Sequence, residues 1–91
     1  MTDSFFVPVV GKLVRNIRTV DLPQVKGLSL QEWTGEIITV PLNSPLMFLS
    51  VKKGTSECSP YWKTYLLLGE QIVFCGSHED EFEHIFKYVE M

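Results

Sequence analysis

Only two cysteines, Cys58 and Cys75, occur in the 91 residues, which excludes a disulfide framework and leads us to expect free thiols. No Asn-x-Ser/Thr acceptor is present, and no apolar run approaches the roughly 18 residues that would span a bilayer. An early basic cluster followed by a hydrophobic segment is also missing, so a cytoplasmic chain with no membrane partner is the expectation. Glycines do not cluster: Gly54 and Gly69 stand alone, and without a Gly-x-Gly-x-x-Gly or Walker pattern nucleotide hydrolysis has no support. Repeats and low-complexity segments are likewise lacking, and the length suits one globular domain spanning 1–91.

What is present is most legible near the end. Two β-rich runs, Tyr65 to Leu68 and Gln71 to Cys75, flank Gly69-Glu70, a pair suited to a type II′ turn. Both runs are almost wholly apolar, which places the hairpin centrally in a sheet covered on both faces. Beyond it, Phe82, Ile85, Phe86 and Val89 fall at i, i+3, i+4 and i+7. This spacing predicts an amphipathic C-terminal helix, capped by Ser77 and started by Glu79, Asp80 and Glu81.

Near the start, Val10, Leu13, Val14, Ile17 and Val20 share one face at helical spacing, with Lys12, Arg15, Asn16, Arg18 and Thr19 on the other. Gly11 and the many β-branched residues oppose a helix, so residues 9–20 are read as helix or strand, with the spacing favouring helix. As a strand the segment would produce a small barrel or curled sheet closed by one helix. In the middle, Gly35 to Leu42 and Leu46 to Val51 bracket Asn43-Ser44 and predict a second hairpin. A short strand is expected around Leu28, Leu30 and Trp33, with Asp21 to Gly27 and Lys52 to Pro60 as loops. The fold class is then α+β: a small, mostly antiparallel sheet of four to five strands in two hairpins, covered by the C-terminal helix and, in one version, by an N-terminal helix.

Candidate chemistry is thin. Cys58, Cys75, His78 and His84 include a Cys-x-x-His step, but His84 falls on the helix face opposite Phe86, so no metal site or cofactor is assigned. A strand-borne Cys75 in apolar surroundings is inert, and Ser56 and Ser59 have no histidine nearby in sequence. No catalytic residue is assigned; an enzyme would need His78 to meet Ser59 or Cys58 across the fold.

The charge of -3 is unevenly spread. Residues 1–63 carry seven Lys/Arg against five acids, whereas residues 64–91 carry one against six. The leading expectation is a non-catalytic interaction or regulatory module with a protein partner. Tyr61 and Trp62 would serve as aromatic anchors, and Glu79, Asp80 and Glu83 as an acidic patch. A homodimer through an edge strand belongs to the same reading. The alternative is nucleic-acid binding through Lys12, Arg15 and Arg18, extended by Lys26, Lys52, Lys53 and Lys63, with Trp33, Tyr61, Trp62 and Tyr65 as stacking faces.

Overall fold

The computed structural model describes residues 7–54 and 61–89, the side chains of residues 79 and 80 excepted. The α+β expectation is overturned: among the described residues the chain is one antiparallel sheet of seven strands, and its one α-helix is a single turn. The strands are β1 (Leu13–Asn16), β2 (Val20–Val25), β3 (Trp33–Val40), β4 (Pro45–Gly54), β5 (Tyr61–Leu68), β6 (Gln71–His78) and β7 (Phe86–Tyr88). They lie in the order β3-β2-β6-β5-β4-β1-β7. A 3₁₀ turn at Leu30–Glu32 joins β2 to β3, and α1 (Glu79–Phe82) follows β6.

The central hairpin β5–β6 turns at Gly69-Glu70, where Gly69 takes φ 61 while Glu70 keeps a negative φ, as a type II′ turn requires. Its ladder runs from Leu68↔Gln71 to Tyr61↔His78, so it extends beyond both apolar runs. At its centre Thr64, Tyr65 and Leu66 are all buried. Leu66 faces the core, whereas Tyr65 lies on the outer face against Phe74, and among the described residues no second layer covers the hairpin as its apolar runs had suggested.

The C-terminal helix is where the sequence reading fails most instructively. The hydrophobic residues are core, since Phe82, Ile85 and Phe86 are all buried. Their backbone, however, is one helical turn, a second turn, and then β7, which pairs Tyr88, Lys87 and Phe86 with Val14, Arg15 and Asn16. Strand wins because β1 would otherwise expose a row of unpaired backbone groups, and Phe-Lys-Tyr has the propensity to cover it. The cap also moves: the backbone N–H of His78 donates to Glu81 Oε1 at 3.1 Å, and Ser77 remains within β6.

The N-terminal segment is strand as well. Burial in β1 alternates, with Val14 and Asn16 inward and Leu13 and Arg15 outward. Three of the five residues on the supposed helical stripe, Val10, Leu13 and Ile17, are exposed. Gly11 at φ 86 is also incompatible with a right-handed helix.

Two loop expectations and one hairpin expectation change too. Asp21 to Gly27 contains most of β2, which accommodates Pro23 opposite Ile37, where no N–H is needed from it. Lys52, Lys53 and Gly54 belong to β4; the rest of that predicted loop, from 55 to 60, lies outside the described residues. No hairpin joins β3 to β4: β3 pairs with β2, and β4 pairs with β1 and β5.

Five positions in the sheet order separate β3 from β1, yet the buried amide of Asn16 donates to the carbonyls of Val40 and Pro41 at 3.1 and 2.7 Å. The sheet therefore curls until the end of β3 meets the end of β1. Inside the curl, Val14, Val40, Leu46, Phe48, Leu66 and Phe86 form much of one core, and Phe82 and Ile85 from the α1 segment plug it.

Candidate functional site

Among the described residues the sheet is open, so its outer face and its two edges are what a partner can reach. Register aligns Leu13, Met47, Leu67, Ile72, Val25 and Trp33 across six strands, on the face opposite the core residues Val14, Leu46, Phe48, Leu66 and Val73. At the β3 end this outer row becomes strongly exposed, with Trp33 and Ile37 each 53% accessible. Pro23, Leu30, Trp33 and Ile37 line an apolar cavity of about 370 Å³.

Local bonding holds that cavity open. Between the pairs Pro23↔Ile37 and Val25↔Trp33 the strand bulges at Thr34 to Glu36, with Gly35 at φ 92, a conformation suited to glycine. Trp33 Nε1–H donates across the bulge to the Glu36 carbonyl at 3.2 Å. Thr34 Oγ1–H is shared between the backbone carbonyl and side-chain Oε1 of Gln24 (3.3 and 3.2 Å), and accepts from the Glu36 N–H. An exposed indole is thus fixed in place before any partner arrives, which lowers the ordering cost of contact.

The anticipated anchors are placed differently. Tyr61 is half-buried with its ring edge-on to His78 at 5.3 Å, while half-buried Trp62 packs against the core under the Lys53 ammonium, 5.6 Å from the ring centre. Trp62 Nε1–H is buried with no hydrogen-bond partner among the described residues. Glu83 is exposed, 3.9 Å from His84 Nε2; the side chains of Glu79 and Asp80 lie outside the described set, so the acidic patch is seen only in part.

Lys12, Arg15 and Arg18 are all exposed but do not share a helix face: Arg15 sits in β1, with Lys12 before it and Arg18 after it. The Arg15 guanidinium donates to the Asn43 carbonyl at 3.2 Å. Register instead creates two like-charged cross-strand pairs on the outer face, Arg15↔Lys87 and Lys52↔Lys63. Of the stacking candidates, Tyr65 is buried against Phe74 with ring centres 5.1 Å apart, and Trp33 is the exposed one.

For chemistry, no three His, Cys, Asp or Glu converge among the described residues. Cys58, Ser56 and Ser59 fall outside them. Burial, above all, pushes the Cys75 thiol up to about 12; the nearby Glu81 charge adds to the rise and a hydrogen bond with Ser77 opposes it. Such a thiol stays protonated and unreactive at neutral pH. Among the described residues no helix is long and apolar enough to cross a membrane.

Sequence reasoning named Trp33 only as a stacking face for nucleic acid and missed the surface it forms with Leu30 and Ile37. The available signal was Trp33 to Val40, a β-rich run with one charge, Glu36. Comparison of the chain with protein-family models, with curated proteins and with solved structures returned no match.

Proposed function

We propose that this chain is a non-catalytic interaction module that binds a partner protein along the β3 edge. The observation that carries this reading is the preset Trp33 and Ile37 surface, more than half exposed, on an eight-residue strand that forms an open edge of the sheet among the described residues. Exposed apolar side chains beside unpaired backbone groups suit an extended segment, which gains main-chain bonds from the edge and side-chain contacts from the cavity. The test is quantitative capture from source lysate by wild type, Trp33→Ala and Ile37→Lys, with Lys87→Glu at the far edge as control. Selective loss of a nuclease-resistant protein partner in the two β3 variants is expected; equal recovery by all four proteins would sink the reading.

A second reading, nucleic-acid binding, draws on the cation pairs. Like charges directly opposite each other cost stability, and neither pair has a carboxylate within ion-pairing distance among the described residues. Phosphates laid across the outer face would relieve both. Fluorescence polarisation with single-stranded oligonucleotides tests it: Lys52→Ala with Lys63→Ala should weaken binding and reduce its salt dependence.

A further inference from the structure

We propose that the partner on the β3 edge is a second copy of this chain, joined by antiparallel pairing of β3 with its counterpart about a twofold axis at Ile38; this rests on reading β3 as the contact edge. The argument begins with the inequality of the two sheet edges. Strand β7 is three residues long, and Lys87 within it stands opposite Arg15. Shortness and positive charge are the devices that keep an edge from pairing, and two such edges brought together would set four cations against one another. Strand β3 has eight residues and contains no Lys, Arg or Pro. With one edge guarded and the other open among the described residues, head-to-tail stacking into an endless ribbon is disfavoured, and the arrangement that closes is the isologous one.

Local geometry sets the register. The bulge at Thr34 to Glu36 ends the regular ladder on one side and Pro41 ends it on the other, leaving Ile37 to Val40, all β-branched. Pro23 has no N–H, so its pair with Ile37 is of the non-bonded kind. The bonded pairs with β2 are then Leu22↔Ile38 and Val20↔Val40, and the N–H and C=O of Ile37 and Thr39 point away from β2. An axis at Ile38 sets Ile37 opposite Thr39 of the other copy, and the reverse, so both outward residues of each chain are satisfied. The two Ile38 side chains, each partly buried against its own core, then meet and join those cores. Glu36 falls opposite Val40 and not opposite its own copy. So short a ladder makes a small interface, and the dimer should be weak and concentration-dependent.

Sedimentation velocity from low micromolar to near-millimolar protein, together with amide exchange at both ends of that range, tests the proposal. Wild type should shift from monomer to dimer, with the Ile37 and Thr39 amides slowing at least tenfold at high concentration. Ile37→Lys, at an exposed position, should remain monomeric with an unchanged thermal transition, and Ile37→Thr should retain dimerisation. A wild type that stays monomeric throughout, or a folded Ile37→Lys that dimerises normally, overturns the self-pairing. The amide measurement on wild type decides the matter even where a variant folds poorly. If wild type is monomeric but Ile37→Lys still loses its foreign partner in the capture assay, only the identity of the occupant is wrong. Capture unaffected by the variant removes the β3 edge as well.

Discussion

Replacing Asn16 by Leu should be among the most damaging single changes to this fold, although it substitutes one side chain of similar size for another. Asn16 is fully buried. Its amide N–H₂ donates to the carbonyls of Arg18, Val40 and Pro41 at 3.0, 3.1 and 2.7 Å, and its Oδ1 accepts from the Ser44 N–H at 2.7 Å. Leucine fills the space and makes none of these bonds, so the cavity contribution is small and the loss is almost purely polar. Two N–H donors and one acceptor at ~0.5–1.5 kcal/mol each, with buried carbonyls and the Ser44 amide left unpaired, place the cost at about 3–4 kcal/mol. A chain of this length has a total stability of roughly 5–14 kcal/mol, so the variant gives up a large share of it. The midpoint of thermal unfolding should fall by roughly 12–30 °C. Urea unfolding followed by tryptophan fluorescence measures the difference directly, and the slope against denaturant should stay unchanged because the same surface is exposed. Asn16→Asp should be worse near neutrality, since a buried carboxylate would face three carbonyl oxygens. Its folded form would hold a proton more tightly than its unfolded form, so that variant should gain stability on acidification. A loss below about 0.5 kcal/mol for Asn16→Leu would refute the view that this amide ties the curl of the sheet together.

Three further outcomes follow from the packing. Phe86→Asp, which puts a charge between the Phe48 and Phe82 rings at 6.1 and 6.0 Å, should abolish the cooperative unfolding transition seen by calorimetry. Thr64→Val deletes the buried hydroxyl that donates to the Cys75 carbonyl at 2.6 Å and should cost about 1 kcal/mol in chemical denaturation. The Cys75 thiol, raised by burial from 9.0 to about 12, binds its proton more tightly folded than unfolded, so its contribution is constant below pH 9.0 and declines between there and about 12. Cys75→Val should flatten that alkaline decline in unfolding free energy. Native Cys75 should also resist iodoacetamide until the protein unfolds; rapid alkylation of the folded protein would show that the site is open.

How far the fold could be read from residues depended on whether a pattern named a contact or only a burial. The β5–β6 hairpin was legible because its turn chemistry and both strands lie within a few residues of one another. Phe82, Ile85 and Phe86 were legible as core, but not as backbone. One helical turn followed by a bend and a strand buries i, i+3 and i+4 as well as a helix does, and the demand that decided between them came from β1, some 70 residues away in the chain. Asn16 marks the limit from the other side: by spacing it fell among solvated residues, and only its meeting with carbonyls 24 and 25 positions distant makes it a buried clamp.

The candidate site was harder to read for the same reason. Tyr61 and Trp62 drew attention by residue type beside a polar segment, yet register turns Trp62 toward the core and sets Tyr61 against His78. Trp33 looked like a stacking face on its own, and Ile37 like an interior strand residue. Whether a β-rich run lies inside a sheet or at its rim is a property of the whole strand order, which here places β2 beside β6 and leaves β3 last. The same order puts Lys87 on the opposite rim. A charge that read in isolation as one lysine in an acidic stretch thereby becomes half of a cation pair on a three-residue edge strand, whereas the opposite rim is an eight-residue strand without Lys, Arg or Pro.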